Sequence, residues 1–178
     1  MSEFMMPVDE EFAPYDHQLA QLRVPPHSTE AESSVLGGLL LDNQAWDRVG
    51  DLLIESDFYR FEHRLIYAGI AKLVNASKPA DVITVYEHLQ SIGKSEEVGG
   101  LAYLNALAQY VPSASNIRRY AEIVRERAIL RKLVTASDEI ATAAFNTQGR
   151  PVDKILDEAE QKIFNIGEEG SRMKQGFQ

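Results

Sequence analysis

The feature that most constrains this fold is a pair of long helical patterns near the C-terminal end, separated by one short turn. From residue 115 to 145, apolar side chains recur at near-heptad intervals and predict a long helix, although the pattern leaves a break near Arg127 open. Residues 146–151 (NTQGRP) predict a turn, because glycine suits the end of one helix and proline the start of the next. A last helical pattern follows, so residues 114–168 are predicted to form an antiparallel helical hairpin.

The hairpin carries more apolar residues than one seam between two helices needs. Apolar surface that remains exposed usually marks a contact with another molecule. We therefore expect a second polypeptide to cover it, the alternative being that the hairpin packs back on its own chain. The residues predicted to form this self-association or partner contact are Val134, Ile140, Phe145, Ile155, Leu156, Ile163 and Phe164.

Residues 25–113 carry shorter helical patterns and predict a globular subdomain of five helices. Thr29 and Glu32 have the spacing of a capping box, which predicts the start of the first helix. The pair Gly37-Gly38 falls inside that helix and indicates either a close helix–helix contact or a break, since each glycine costs about 1 kcal/mol relative to alanine.

The remaining helices of this subdomain follow from spacing. Trp46, Val49 and Leu53 predict a second helix, capped by Asp42 or Asn43, and Ile66, Ile70 and Leu73 line the inner face of a third. Residues 82–92 are rich in β-branched side chains, but their apolar positions keep helical spacing, so we predict a helix there. Residues 101–111 carry apolar side chains on two faces, which predicts a helix buried on most sides and stopped at Val111-Pro112-Ser113.

The predicted fold is therefore all-α, a compact helical globular subdomain followed by a projecting antiparallel hairpin. Residues 1–24 are predicted to be a disordered acidic tail, because they hold no basic residue up to Leu22 and are interrupted by two prolines. Residues 169–178 are polar and end without a cap, so we predict the start of an interdomain linker.

Charge and cysteine content narrow the classes of function. Of the 178 residues, 18 are basic and 27 are acidic, and a net charge of −9 makes the chain a poor autonomous DNA binder unless its charge is segregated. There is no cysteine, so disulfides and thiolate metal sites are excluded. No apolar run approaches the ~18 residues of a membrane span, and we expect no membrane partner.

The sequence contains no motif that predicts catalysis. Gly93-Lys94-Ser95 resembles the end of a phosphate-binding loop, but the glycine required five residues earlier is His88, so a surface turn is favoured. His17, His27, His63 and His88 lack the spacing of a zinc-binding helix. We therefore predict that this chain holds no catalytic, cofactor or metal site.

Charge is segregated along the hairpin. Residues 118–132 carry a net charge of +4 and residues 133–169 a net charge of −5. This pattern favours charge pairing between subunits, a solvated helix with local pairs, or an all-α module that contacts single-stranded DNA through residues 118–132.

Several blocks of the chain resemble, in order, the beginning of bacterial replicative hexameric DNA helicases of the DnaB family. His63 and Ile66-Tyr67, which follow the block at residues 57–59, match the same family. The resemblance covers about residues 24–168. The blocks are residues 24–32 (VPPHSTEAE), 35–39 (VLGGL), 57–59 (DFY), 98–104 (VGGLAYL), 112–117 (PSASNI) and 120–127 (YAEIVRER).

The resemblance implies an N-terminal domain that ends before the RecA-like ATPase domain. It implies a collar in which six such domains form a trimer of dimers and bind the C-terminal helicase-binding domain of primase, with a helicase loader left open as a further partner. ATP, Mg²⁺ and most DNA contacts would belong to the missing motor domain, so no catalysis is expected of this fragment. The implied location is the bacterial cytoplasm at the replication fork.

Overall fold

A computed structural model describes residues 24–110 and 116–175, with side chains up to residue 170. Within these residues the chain forms α-helices and two 3₁₀ turns and no strand, which confirms the all-α prediction. The 3₁₀ turns cover Asn43–Ala45 and Glu55–Asp57. The helices are α1 (Thr29–Leu41), α2 (Trp46–Val49), α3 (Phe61–Asn75), α4 (Val82–Ser91), α5 (Gly100–Gln109), α6 (Ile117–Phe145) and α7 (Val152–Gln175).

Helix α1 begins one residue earlier than the sequence pattern indicates. Its N-cap is Ser28, whose hydroxyl accepts a hydrogen bond from the backbone N–H of Ala31 at 3.2 Å. The predicted capping box of Thr29 and Glu32 is therefore wrong. Glu32 is buried and its carboxylate binds a different part of the chain, because three donors from outside α1 reach it.

Three further predictions about the globular subdomain can be compared with the structure. Asp42 caps the 3₁₀ turn that leads into α2, but α2 ends at Val49, so the predicted helix through Leu53 is shorter than expected. Residues 82–91 are helical, as predicted, and Asp81 and Thr84 form a reciprocal capping box at the start of α4. Asp81 thus supplies the helix-start signal that overrides the β-branched composition.

Helix α5 is not buried on most sides, and that prediction is wrong. Leu104 and Leu107 are buried, whereas Tyr110 just beyond its end is exposed. On the second apolar face Leu107 is buried, but Tyr103 and Tyr110 border an open groove that the start of α1 also lines. The predicted stop at residues 111–113 lies outside the described residues.

The core of the subdomain forms around α1. Val35, Leu36 and Leu39 have no exposed surface and pack with Phe58, Ile66, Ile70, Val85, Leu89 and Leu104 from the surrounding elements. The first half of α6 closes this core, since Ile117, Ala121 and Val124 are buried in the same cluster. Helix α6 is therefore partly a core helix and partly an arm.

Helices α6 and α7 form the predicted antiparallel hairpin. Helix α6 runs for 29 residues without a break at Arg127, a length of about 43 Å. The connecting turn contains Gln148 and Gly149 at φ values of 52° and 79°, so the left-handed conformation spans both residues. Helix α7 continues through residue 168, where the sequence pattern places the end of the hairpin, to Gln175.

Candidate functional site: the helical hairpin

The burial of α6 changes at its middle. On the N-terminal half, Ala121, Val124 and Ala128 face the core and are buried. Leu130 lies nine residues after Ala121, and Leu133 lies nine residues after Val124. Nine residues are two and a half helical turns, so both leucines lie on the side of α6 opposite the core. Both are exposed, and the outer side of α6 therefore becomes apolar where the helix leaves the globular subdomain.

Ion pairs fix the register of the two hairpin helices. Lys162 Nζ donates to Glu139 Oε2 at 2.6 Å in the middle of the hairpin, and Lys132 pairs with Glu169 near its base. Near the turn, Arg150 pairs with Glu158. Exposed pairs of this kind contribute about 0–1 kcal/mol each, so they specify alignment more than they stabilise it.

The seven apolar residues predicted for the contact divide into two groups. Ile140 and Ile155 are half-buried and line a cleft of about 420 Å³ between α6 and α7 near the turn. These two residues belong to the hairpin's own seam. The other five are exposed, and their side chains are free of intramolecular cover over much of their surface: Val134, Phe145 (93% exposed), Leu156 (57%), Ile163 and Phe164 (60%).

The predicted set omits three further exposed apolar residues of the same two helices, Leu130, Leu133 and Val152. Leu130 and Leu133 belong to the near-heptad pattern that predicted α6, so spacing alone did not separate inward from outward positions. Val152 opens α7 and lies four residues, about one turn, before Leu156. We name the exposed apolar residues of α6 and α7 the hairpin face: Leu130, Leu133, Val134, Phe145, Val152, Leu156, Ile163 and Phe164.

The basic residues of the stretch 118–132 are largely committed to intramolecular partners. Arg118 and Arg119 pair with Glu122, and Arg119 also reaches Glu126 at 3.5 Å. Arg131 donates to the backbone oxygens of Pro26 and Asp57. Burial of the Arg131 side chain lowers the pKa of its guanidinium. This arrangement favours the solvated helix with local pairs over a groove for a phosphate backbone.

A buried polar network joins α1, α3 and α5. The Glu32 carboxylate accepts hydrogen bonds from the backbone N–H groups of Tyr59 and Arg60 at 3.0 and 3.3 Å, and from His63 Nδ1 at 2.9 Å. His63 Nε2 lies 2.5 Å from the hydroxyl of Tyr103, whose pKa burial raises. His63 is fully buried and both ring nitrogens have protein partners, so this cluster is a structural connection.

The structure places His27, His88 and the phosphate-loop candidate at separate positions. His27 stacks on Tyr59 with ring centroids 4.2 Å apart, His88 lies beside Gly69, and His17 is outside the described residues. Gly93 sits in a turn after α4 at φ 72°. Among the described residues, no group of three or more His, Asp or Glu side chains could hold a metal ion. In the same part of the chain, no helix is long and apolar enough to cross a membrane.

Comparison with known proteins gives one consistent family. Residues 24–126 match the family model described as the DnaB-like helicase N terminal domain. The chain is 46% identical over 163 residues to the replicative DNA helicase DnaB of Haemophilus influenzae, and 48% identical over 160 residues to that of Pasteurella multocida. These alignments cover 92% and 90% of this chain but 35% and 34% of the two relatives, so the chain spans about a third of their length.

Solved structures share the fold. The crystal structure of the N-terminal domain of DnaB helicase from Mycobacterium tuberculosis aligns with a TM-score of 0.76 at 38% identity, covering 80% of this chain and 99% of that one. A structure of a DnaB-like replicative helicase and its interactions with primase aligns with a TM-score of 0.63 at 23% identity, covering 78% of this chain and 31% of that one.

Proposed function

Because the chain belongs to the DnaB-like helicase N-terminal domain family, we propose that it is a self-associating collar domain that organises a replicative DNA helicase and recruits primase. In this proposal the chain performs no catalysis of its own. ATP and Mg²⁺ binding, DNA unwinding and most contacts with DNA belong to the motor domain of the parent helicase. Its place of action is the replication fork in the bacterial cytoplasm.

The observation that supports self-association is the hairpin face. Its apolar side chains lie on the exposed sides of both hairpin helices, and five of the seven residues expected for the contact are exposed there. Exposed apolar side chains grouped along one element mark contacts with other molecules. A second copy of the chain offers a matching surface of the same chemistry, as a two-fold pairing requires.

The pairing of hairpins would supply the dimers of a ring. Six collar domains arranged as a trimer of dimers would then present their globular subdomains to the C-terminal helicase-binding domain of primase. The relative that was solved as a DnaB-like replicative helicase with its interactions with primase supports this partner. A helicase loader is a further candidate partner.

The experiment that tests the proposal is isothermal titration calorimetry of this chain against the primase C-terminal domain, combined with light scattering of each protein. We expect binding of the unmodified chain and a mass above that of one copy.

Leu156→Glu places a charge on the hairpin face and should lower the mass, because an unpaired charge cannot be buried in an apolar contact without a large penalty. A chain that neither binds the primase domain nor exceeds the mass of one copy contradicts the proposal.

Gln161→Glu is the matched control. Gln161 is an exposed residue of α7 that donates to Asn165, and the substitution also adds one negative charge to α7. The control should leave both the mass and the affinity for the primase domain unchanged. If it reduced the mass as much as Leu156→Glu, the effect would come from net charge and the assignment of the hairpin face would be wrong.

A further inference from the structure

Arg125 connects the hairpin to the globular subdomain through a buried ion pair. Its Nη1 donates to Asp57 Oδ1 at 2.8 Å, and the two side chains are 10% and 1% exposed. The second carboxylate oxygen of Asp57 accepts from the backbone N–H of Ile54 at 2.9 Å. Because both oxygens of Asp57 are engaged and both side chains are buried, this pair anchors α6 to the 3₁₀ turn Glu55–Asp57.

The same guanidinium also reaches the end of the other hairpin helix. Arg125 Nη2 donates to the backbone oxygen of Glu169 at 3.2 Å, 44 residues further along the chain. Lys132, two turns along α6, binds the Glu169 carboxylate. Gly170 follows directly and lies against Ile129, since a Cβ built on Gly170 would be 4.0 Å from Ile129 Cδ1. One turn of α7 is thus held by α6, and through Arg125 by the globular subdomain.

The two halves of this arrangement differ in their exposure to solvent. The Arg125–Asp57 half is buried, whereas Lys132 and Glu169 are 36% and 41% exposed. A cleft of about 260 Å³ borders both pairs, since its lining includes Asp57, Arg125, Lys132 and Glu169, so the two pairs differ in the exposure of their side chains and not in their access to the cleft. Salt and competing charges therefore weaken the Lys132–Glu169 pair more than the Arg125–Asp57 pair.

We propose that Arg125 and Lys132 form a releasable clasp on Glu169 that sets the direction in which the last turns of α7 leave the globular subdomain. In the closed state α7 lies along α6 up to Glu169. In the open state the helix after the Lys162–Glu139 pair separates from α6, while the rest of the hairpin keeps its register. If the proposed function holds and a motor domain follows α7, the clasp sets the orientation of that domain relative to the collar.

The clasp is testable by electron spin resonance distance measurement, because the chain has no natural cysteine. Spin labels are attached at Glu87→Cys on α4 and Gln175→Cys at the end of α7, and labelled chain is diluted with excess unlabelled chain so that only intramolecular distances count. At low salt we expect one narrow distance distribution. Lys132→Glu, which faces Glu169 with a like charge, should broaden it and shift it to longer distances by more than its original width.

The charge-swapped variant Lys132→Glu with Glu169→Lys is the control that separates the clasp from a general disturbance. It should restore the narrow distribution, and circular dichroism should show the same helix content in all three proteins. A distribution that Lys132→Glu leaves unchanged, or that the swap does not restore, overturns the clasp. Neither result bears on self-association, since that is measured by mass and this experiment reports distances within one copy.

Discussion

Gly38 of α1 and Ile117 of α6 touch so closely that a Cβ on Gly38 would lie 2.8 Å from Ile117 Cδ1. This contact explains the glycine at position 38 in the interior of α1. Helix α6 approaches α1 at the position where a side chain is missing, and the first half of α6 thereby closes the core. The helical propensity lost at Gly38 is offset by the buried contacts of Ile117, which is 1% exposed.

Gly38→Ala should lower the free energy of unfolding by about 1 kcal/mol, because overpacking a core outweighs the gain in helical propensity. Urea denaturation followed by circular dichroism measures the change. Ile117→Val removes the atom that the new methyl group would meet, so Gly38→Ala should cost less in that background. Gly167→Ala, on a helix where a Cβ meets nothing within 4 Å, should raise stability slightly. Equal effects at the two glycines would contradict the close contact.

Glu32→Ala should lower the free energy of unfolding by about 3 kcal/mol, because it leaves two backbone N–H groups and His63 buried without their acceptor. Glu30→Ala, two residues earlier on an exposed position of α1, should change it by less than about 0.5 kcal/mol. Thermal unfolding of both variants tests the difference. A similar small loss in both would mean that the carboxylate of Glu32 is not the centre of this network.

Acidification should destabilise the chain partly through His88. Burial, with a smaller contribution from Lys72, lowers the pKa of His88 in the folded state. As the pH falls, His88 is therefore protonated in the unfolded chain before it is protonated in the folded chain. The stability that His88 contributes is fully present above its ordinary pKa of about 6.5, and it is lost as the pH falls through the lower pKa of the folded state. His88→Gln should reduce the stability difference between pH 7.5 and pH 5 by less than about 1 kcal/mol, because the ring is only partly buried. An unchanged difference would contradict this account.

Substitution by glutamate should have different effects on helix content at the neighbouring residues Ile155 and Leu156. Ile155 lies in the cleft between the hairpin helices, so Ile155→Glu should melt the end of the hairpin and reduce its helix content. Leu156 is exposed, so Leu156→Glu should preserve helix content and change only the mass in solution. Circular dichroism and light scattering on both variants separate the seam from the outer surface. Loss of helix content in both would place Leu156 in the seam as well.

Spacing predicted most of the helices, since a period of 3.6 residues is a local property. Residues 82–91 show this most clearly, because the helical period is correct where the β-branched composition favours a strand. Spacing could not predict the role of Glu32, because its hydrogen-bond donors lie 27 to 31 residues away. A carboxylate near the start of a helix gives the same sequence pattern whether it caps the helix or is buried against another part of the chain.

The same limit applies to the hairpin. An apolar position on a helix faces a neighbour or water depending on where other elements lie, so Ile140 and Phe145 looked alike in sequence although the first lines the seam and the second is 93% exposed. The end of α7 was placed at residue 168 because the apolar pattern stops there. The helix continues to Gln175, with contacts from Arg125 and Lys132 to Glu169 that lie far away in sequence.

The most direct test of self-association through the hairpin face is sedimentation of the unmodified chain over a range of concentrations, beside the double variant Leu156→Glu with Ile163→Glu. The account predicts that the unmodified chain reaches at least twice the mass of one copy, 19.9 kDa, and that the folded variant stays at that single-copy mass. A mass of 19.9 kDa for the unmodified chain at every concentration, or an unchanged assembly in the variant, would contradict it.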